Sequence, residues 1–199
     1  MAYTHFSGVD TVLLKINGTQ VTATAAELNA LDSSANDVMS PSTVMAATLA
    51  DYSSSVTTDP LTGVIVTKIY FDLTGAKSTT TDLDIIGDTG ACHLGQITAA
   101  VNGTITAGSV TCLETPATGA DDIDFYTASV ATGAYDADAS GLTNAAALLT
   151  KGGAWAAGTT PSAMTGLPSA DYYIYVANGE AGTVGTYTAG KFLIELWGV

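Results

Sequence analysis

The chain has 199 residues and a mass of 20.0 kDa, with 47% hydrophobic and only 12% charged residues; 19 acidic side chains against 5 basic ones give a net charge of −14. It contains no arginine, so it lacks the cations that displace counterions from phosphates, which excludes nucleic-acid binding and, by the same reasoning, docking on anionic membranes. No window reaches the roughly 20 apolar residues of a membrane span, and Met1-Ala2-Tyr3-Thr4-His5 lacks the basic and apolar blocks of a signal peptide, so synthesis and solubility in a cytoplasm are expected. Area scaling gives a compact monomer of this size about 70% burial of its unfolded surface, enough for a sizeable core. With so few charges, the outside must be largely Thr, Ser, Ala and Gly, a surface suited to packing against other subunits.

Residues 2–8 (AYTHFSG) place Tyr3, His5 and Phe6 on a polar run with no partner of its own, which reads as an extended N-terminal arm. Two extended runs, 11–16 and 19–23, flank Asn17-Gly18, a type I′ turn signal; a lone hairpin of this kind is marginal in water and must lean on something else. Thr24-Ala-Ala-Glu27 has the form of a capping box, with Leu28 and Leu31 on one face of the short helix that it starts. After a polar connector at 32–37, Ser40 is placed to cap a second helix with Pro41 at its first position and Met45 and Leu49 one turn apart. The Ser-rich stretch from Tyr52 to Pro60 reads as a linker, which divides the chain into 1–60 (arm, hairpin and short helices) and 61–199 (a β domain).

From Gly63 onward, β-branched and aromatic runs alternate with turn residues. Strands are predicted at 64–73, 82–86, 94–101, 104–113, 123–129, 172–177, 183–188 and 191–197. In the last, Phe192, Ile194 and Leu196 face one way and Leu193, Glu195 and Trp197 the other; two largely apolar faces argue for an inner strand or one covered by a neighbouring subunit. Asn144 to Gly152 reads as a short helix, with a cap residue, a cation in the last turn and a stop. If Asn102-Gly103 is a two-residue turn, Cys92 and Cys112 project from opposite faces of a hairpin, so no disulfide is expected. The fold class is mainly β: an antiparallel β-sandwich, jelly-roll-like or otherwise Greek-key, with an N-terminal arm and short helices.

Few constellations carry chemistry. Asp136-Ala-Asp138-Ala-Ser140-Gly141 matches the opening of a calcium loop, but Ala147 stands where a bidentate Glu should close it. Asp121, Asp122 or Asp124 can add oxygens; a solvated acidic turn is the plainer reading, and no metal or other cofactor is favoured. Glycoside hydrolysis needs two carboxyl groups beside a sugar groove, and here the acids cluster in turn-like sequence. His5 and His93 have no matching nucleophile motif, and Gly75-Ala-Lys-Ser78 lacks the Gly required before the Lys of a phosphate loop. Asn17-Gly-Thr19 and Asn102-Gly-Thr104 match glycosylation acceptors, which mean nothing without secretion. Tyr172, Tyr173, Tyr175, Trp155 and Trp197 are the aromatics able to line a sugar-binding face, although packing explains most of them.

The wording Ala2-Tyr-Thr-His-Phe-Ser-Gly8 followed by Val21-Thr-Ala-Thr-Ala-Ala-Glu-Leu-Asn29, with Thr81-Asp-Leu-Asp-Ile-Ile-Gly87 and Thr188-Ala-Gly-Lys-Phe-Leu-Ile-Glu-Leu-Trp-Gly198, resembles virion structural proteins of tailed bacteriophages, particularly marine ones. The resemblance implies a non-enzymatic component with no catalytic residues: a decoration, or cement, protein on the outer capsid surface, trimeric and bound to the major capsid protein. Tyr3, His5, Phe6, Leu13, Leu14, Ile16, Leu28 and Leu31 are then the expected capsid or subunit contacts. The alternative is a head or tail fibre protein recognising a host glycan. A secreted carbohydrate-binding module is disfavoured by the missing signal peptide.

Overall fold

The computed structural model describes residues 39–199, together with the backbone of a short hairpin, β1 (Lys15–Ile16) and β2 (Thr19–Gln20). Lys15 pairs with Gln20 and Ile16 with Thr19, a register that leaves two residues between the strands, as Asn17-Gly18 predicts. The arm and the helix expected at 24–31 lie outside the described residues. The chain divides into two compact units, Met1–Ala35 and Asn36–Val199, and every other described element belongs to the second.

That unit opens with helix α1 (Thr43–Thr48). Its cap is Ser42 rather than Ser40: the Ser42 Oγ accepts the Met45 N–H at 3.1 Å and donates to the Ala91 carbonyl at 2.6 Å, so one hydroxyl both starts the helix and ties it to the sandwich. Met45 and Leu49 are buried, as their spacing predicts. The strands that follow are β3 (Asp51–Thr58), β4 (Ile65–Asp72), β5 (Lys77–Ser78) and β6 (His93–Gln96); a single-turn helix, α2 (Ala99–Asn102), precedes β7 (Ile105–Ala117) and β8 (Ile123–Ala128). A 3-10 turn at Ala139–Gly141 leads to β9 (Ala146–Leu149), β10 (Ser162–Ala163), β11 (Tyr173–Asn178), β12 (Gly185–Thr186) and β13 (Ala189–Gly198).

Two antiparallel sheets form the sandwich, with orders β10-β7-β13-β4-β3 and β6-β11-β8-β9, and β12 pairs with β5 in a small ribbon. A jelly-roll order is not confirmed by this connectivity. β13 is an inner strand, hydrogen-bonded to β4 on one side and β7 on the other, with Phe192, Ile194 and Leu196 fully buried and Leu193, Glu195 and Trp197 partly exposed on the outer face. Between the sheets Phe192 stacks on Phe71 (centroids 5.5 Å apart) and meets Trp155 edge-on at 5.4 Å and Phe125 at 6.0 Å. The Trp155 indole N–H donates to the Ile123 carbonyl at 2.8 Å, so its one polar atom is satisfied inside the core.

The stretch read as a linker is the edge strand β3, and the compact unit begins at Asn36, not near residue 61. An edge strand needs only one half-buried row, here Tyr52, Ser54 and Val56, so serine suffices at alternate positions. The Tyr52 hydroxyl donates to the Leu94 carbonyl at 2.6 Å, pinning this edge to the opposite sheet. The helix read at 144–152 is strand β9: Asn144 adopts φ 54°, a left-handed turn rather than a cap, and pairing with β8 overrides the helix propensity of Ala and Leu. The segment 82–86 makes only isolated bridges, Asp84 with Asp138 and Ile85 with Ala177.

The strand predicted at 94–101 ends at Gln96, residues 99–102 turn into the helix α2, and Asn102-Gly103 is no hairpin turn. Gly103, at φ 68°, ends α2, and the chain crosses there from β6 in one sheet to β7 in the other. Cys92, just ahead of β6, and Cys112, in β7, therefore never face each other across a hairpin; both are buried and free. Asn102 holds the crossing, its Oδ1 accepting the Thr98 N–H at 2.8 Å and its Nδ2 donating to the Thr67 Oγ1 at 2.9 Å, with no exposure to solvent. Asn102→Ala should cost about 2 kcal/mol because it strands a buried donor and acceptor. Urea unfolding should show this as a lower midpoint at an unchanged slope.

Candidate functional site

The calcium-loop residues do not converge. Asp136 sits in the left-handed region at φ 67°, and the Asp138 Oδ1 accepts both the Ser140 N–H (2.8 Å) and the Ser140 hydroxyl (2.7 Å), capping the 3-10 turn. Those bonds hold the Asp138 carboxyl below the usual range, the hydroxyl contributing most. Its oxygen thus serves the turn. Among the described residues no group of three or more His, Cys, Asp or Glu side chains is arranged to hold a metal ion.

The more informative acids are Asp122 and Asp124. Two residues apart at the start of β8, they point to the same side of the sheet, and both are only 4% exposed. The Asp124 Oδ1 accepts the Lys151 N–H at 2.7 Å, whereas the Asp122 Oδ1 is buried with no hydrogen-bond partner. Gly179 lies beside them, donating its N–H to the Asp122 carbonyl at 2.9 Å. A Cβ on Gly179 would come within 2.5 Å of the Asp122 Oδ1 and 3.0 Å of the Asp124 Oδ1, so both oxygens crowd the space that the missing side chain leaves.

Burial raises both carboxyls. Desolvation pushes Asp124 up to about 6, with the Lys151 N–H opposing it and the charges of Asp122 and Asp82 adding to it. Asp122 is raised by the same desolvation, opposed by the Gly153 N–H and by Lys151 and reinforced by Asp121 and Asp82. The Tyr126 phenol is raised by burial and then by Asp124, Asp82 and Asp138. Negative charge is therefore concentrated around one end of β8. Chemically, such a pair can hold a proton or a hard cation.

A second feature is the outer face of the five-stranded sheet. Register places Leu193 between Tyr70 and Thr111, Glu195 between Lys68 and Ser109, and Trp197 between Val66 and Ala107. The charges pair across strands, Lys68 with Glu195 at 2.9 Å and Lys191 with Glu114 at 2.7 Å. Between these charges Val66, Tyr70, Leu193 and Trp197 form a part-exposed apolar and aromatic strip, flanked by Ser53 and Ser55 of β3 and by Ser109 and Thr111 of β7, and Leu113 on β7 is 46% exposed.

His93 opens β6 with its ring 4.7 Å from that of Tyr173; its Nδ1 is buried without a partner, and burial lowers its pKa. Met39, Ser40, Gln96 and Tyr173 border it in a groove of about 320 Å³. Of the expected contact residues, Tyr3, His5, Phe6, Leu13, Leu14, Leu28 and Leu31 lie outside the described residues, and for Ile16 only the backbone pairing is described.

No family model, curated protein or solved structure matches the chain. Among the described residues no helix is long and apolar enough to cross a membrane.

Proposed function

We propose that this chain is a structural subunit of a phage virion, decorating the outer capsid surface as a cement protein. The observation that carries this reading is the outer sheet face: Val66, Tyr70, Leu193 and Trp197 stand part-exposed beside two lysines that are both held in cross-strand ion pairs, which suits burial against protein. The face is assigned to contact between copies in a trimer, and the N-terminal residues, by their resemblance to phage proteins, to the major capsid protein. A net charge of −14 fits the outside of a shell, away from packaged DNA.

Adding the protein to undecorated capsids should give stoichiometric decoration and a higher disruption temperature, and removing residues 1–20 should abolish attachment. A capsid that binds none of the full-length chain would end the cement reading. Leu193→Glu should turn a trimer into monomers by light scattering, because it sets an unpaired carboxylate at the centre of the face. A second reading, host-glycan recognition by a fibre protein, draws on the groove beside His93 and Tyr173. Copy number separates the two: hundreds per particle fit a shell, a handful fit a fibre.

A further inference from the structure

We infer that Asp122 and Asp124 form the binding site of a hard divalent cation of the calcium class, with Gly179 as the floor that makes room for it. Three observations converge. The Asp122 Oδ1 is buried and has no partner, a costly condition for a carboxylate oxygen unless a proton or a cation meets it. It converges with the Asp124 Oδ1 on Gly179, where a Cβ would stand 2.5 Å from the one oxygen and 3.0 Å from the other. Gly179 does not occupy the left-handed backbone region that Gly63, Gly75 or Gly90 do, so conformation gives no reason for glycine there, whereas the approach of two carboxylates does.

The charge of Lys151 reaches Asp122 but does not pair with it. Lys151 gives its backbone N–H to Asp124, but its Nζ stands over the Trp155 ring, 5.3 Å from the centroid, and Lys151 takes part in none of the ion pairs among the described residues. Asp82 and Asp121 lie close enough to act on the pair, and Glu180 feels Asp121 and Asp122, so the field favours a cation further. The donors are oxygens, with no imidazole or thiolate among the groups acting on the pair, which selects hard cations over zinc. Calcium suits better than magnesium, because it accepts irregular carboxylate and carbonyl oxygens where magnesium keeps most of its water, and the buried setting leaves little room for water.

The test is calorimetric titration of the full-length protein with calcium chloride up to about 10 mM, above the weakest range of natural calcium sites, alongside thermal unfolding in calcium, magnesium or chelator. Calcium should give saturable heat and a rise in Tm that magnesium reproduces less well. Asp122→Asn and Asp124→Asn should each weaken binding by more than the roughly tenfold that losing even a supporting group costs a metal site. Asp138→Asn should leave it unchanged. Folding of each variant is verified in chelator. Absence of heat and of any Tm change in the wild type would overturn the assignment, as would binding that survives both Asn variants or is lost on Asp138→Asn. Capsid decoration is a separate readout, so the cement reading and this one can fail independently.

Discussion

Phe192→Ala should lower stability by about 4 kcal/mol, a fall in Tm of about 10 °C for a chain of this size. The ring stacks on Phe71 and is met edge-on by Trp155 and Phe125, so its removal leaves a cavity bounded by three aromatic side chains that belong to both sheets and to the loop after β9. None of them can relax into it without losing a partner, Trp155 least of all, since its indole is tied to the Ile123 carbonyl. The neighbouring Leu193→Ala is the control. On the part-exposed outer face it should cost less than about 1 kcal/mol and act on self-association instead. Equal losses of stability from the two substitutions would contradict the two-faced reading of β13.

Asp124→Asn should stabilise the protein at neutral pH in chelator, by about 2 kcal/mol once partial solvent screening is allowed for. The sign follows from the direction of the shift. Asp124 is raised from 3.8 to about 6 by desolvation, so the folded chain holds this proton more tightly than the unfolded one does. Its favourable contribution is complete below about pH 4, is lost as pH climbs through about 6, and above that the buried charge is a constant penalty. Wild-type stability in chelator should therefore fall between about pH 4 and 6, and Asp124→Asn should flatten most of that fall; Asp122, shifted the same way, leaves a remainder. Asp59, Asp88 and Asp138, held low by hydrogen bonds, act in the opposite sense, losing their contribution as the pH drops below about 4. Guanidinium midpoints at a series of pH values measure the effect. A variant less stable than wild type at pH 7, with the slope intact, would show that the carboxylate is already neutralised by something other than a bound ion.

Much of the sandwich was legible because period-2 alternation is a local signal. β13 carries it from end to end and β4 from Thr67 to Phe71, and their inner rows belong to the core. Other elements were hidden for physical reasons. β3 is built of serine, which looks like linker until a neighbouring strand supplies the pairing. Ala146-Ala-Leu-Leu149 carries helix-forming residues, and only its place beside β8 makes it a strand. Asn102-Gly103 has the wording of a tight turn, but the buried Asn102 amide spends its bonds on Thr98 and Thr67 across the crossing. The acids show the same limit. Asp136 to Gly141 has the motif spacing but uses its oxygens locally, whereas Asp122 and Asp124 matter because Gly179, more than fifty positions away, closes over them. The D-x-D alternation at the head of a strand was the one clue available to sequence alone.

The position of β13 has a kinetic consequence. This central strand of the five-stranded sheet follows every other described strand in the chain, and it joins β4, more than a hundred residues earlier, to β7. Until residues 189–198 emerge from the ribosome, β4 and β7 have no partner between them and the apolar rows of Ile69, Phe71 and Val110 stay exposed. Folding must then close long loops before any of these contacts forms, which makes it slow and leaves the nascent chain open to aggregation. Truncation within β13 removes not a terminus but the keystone of the sheet.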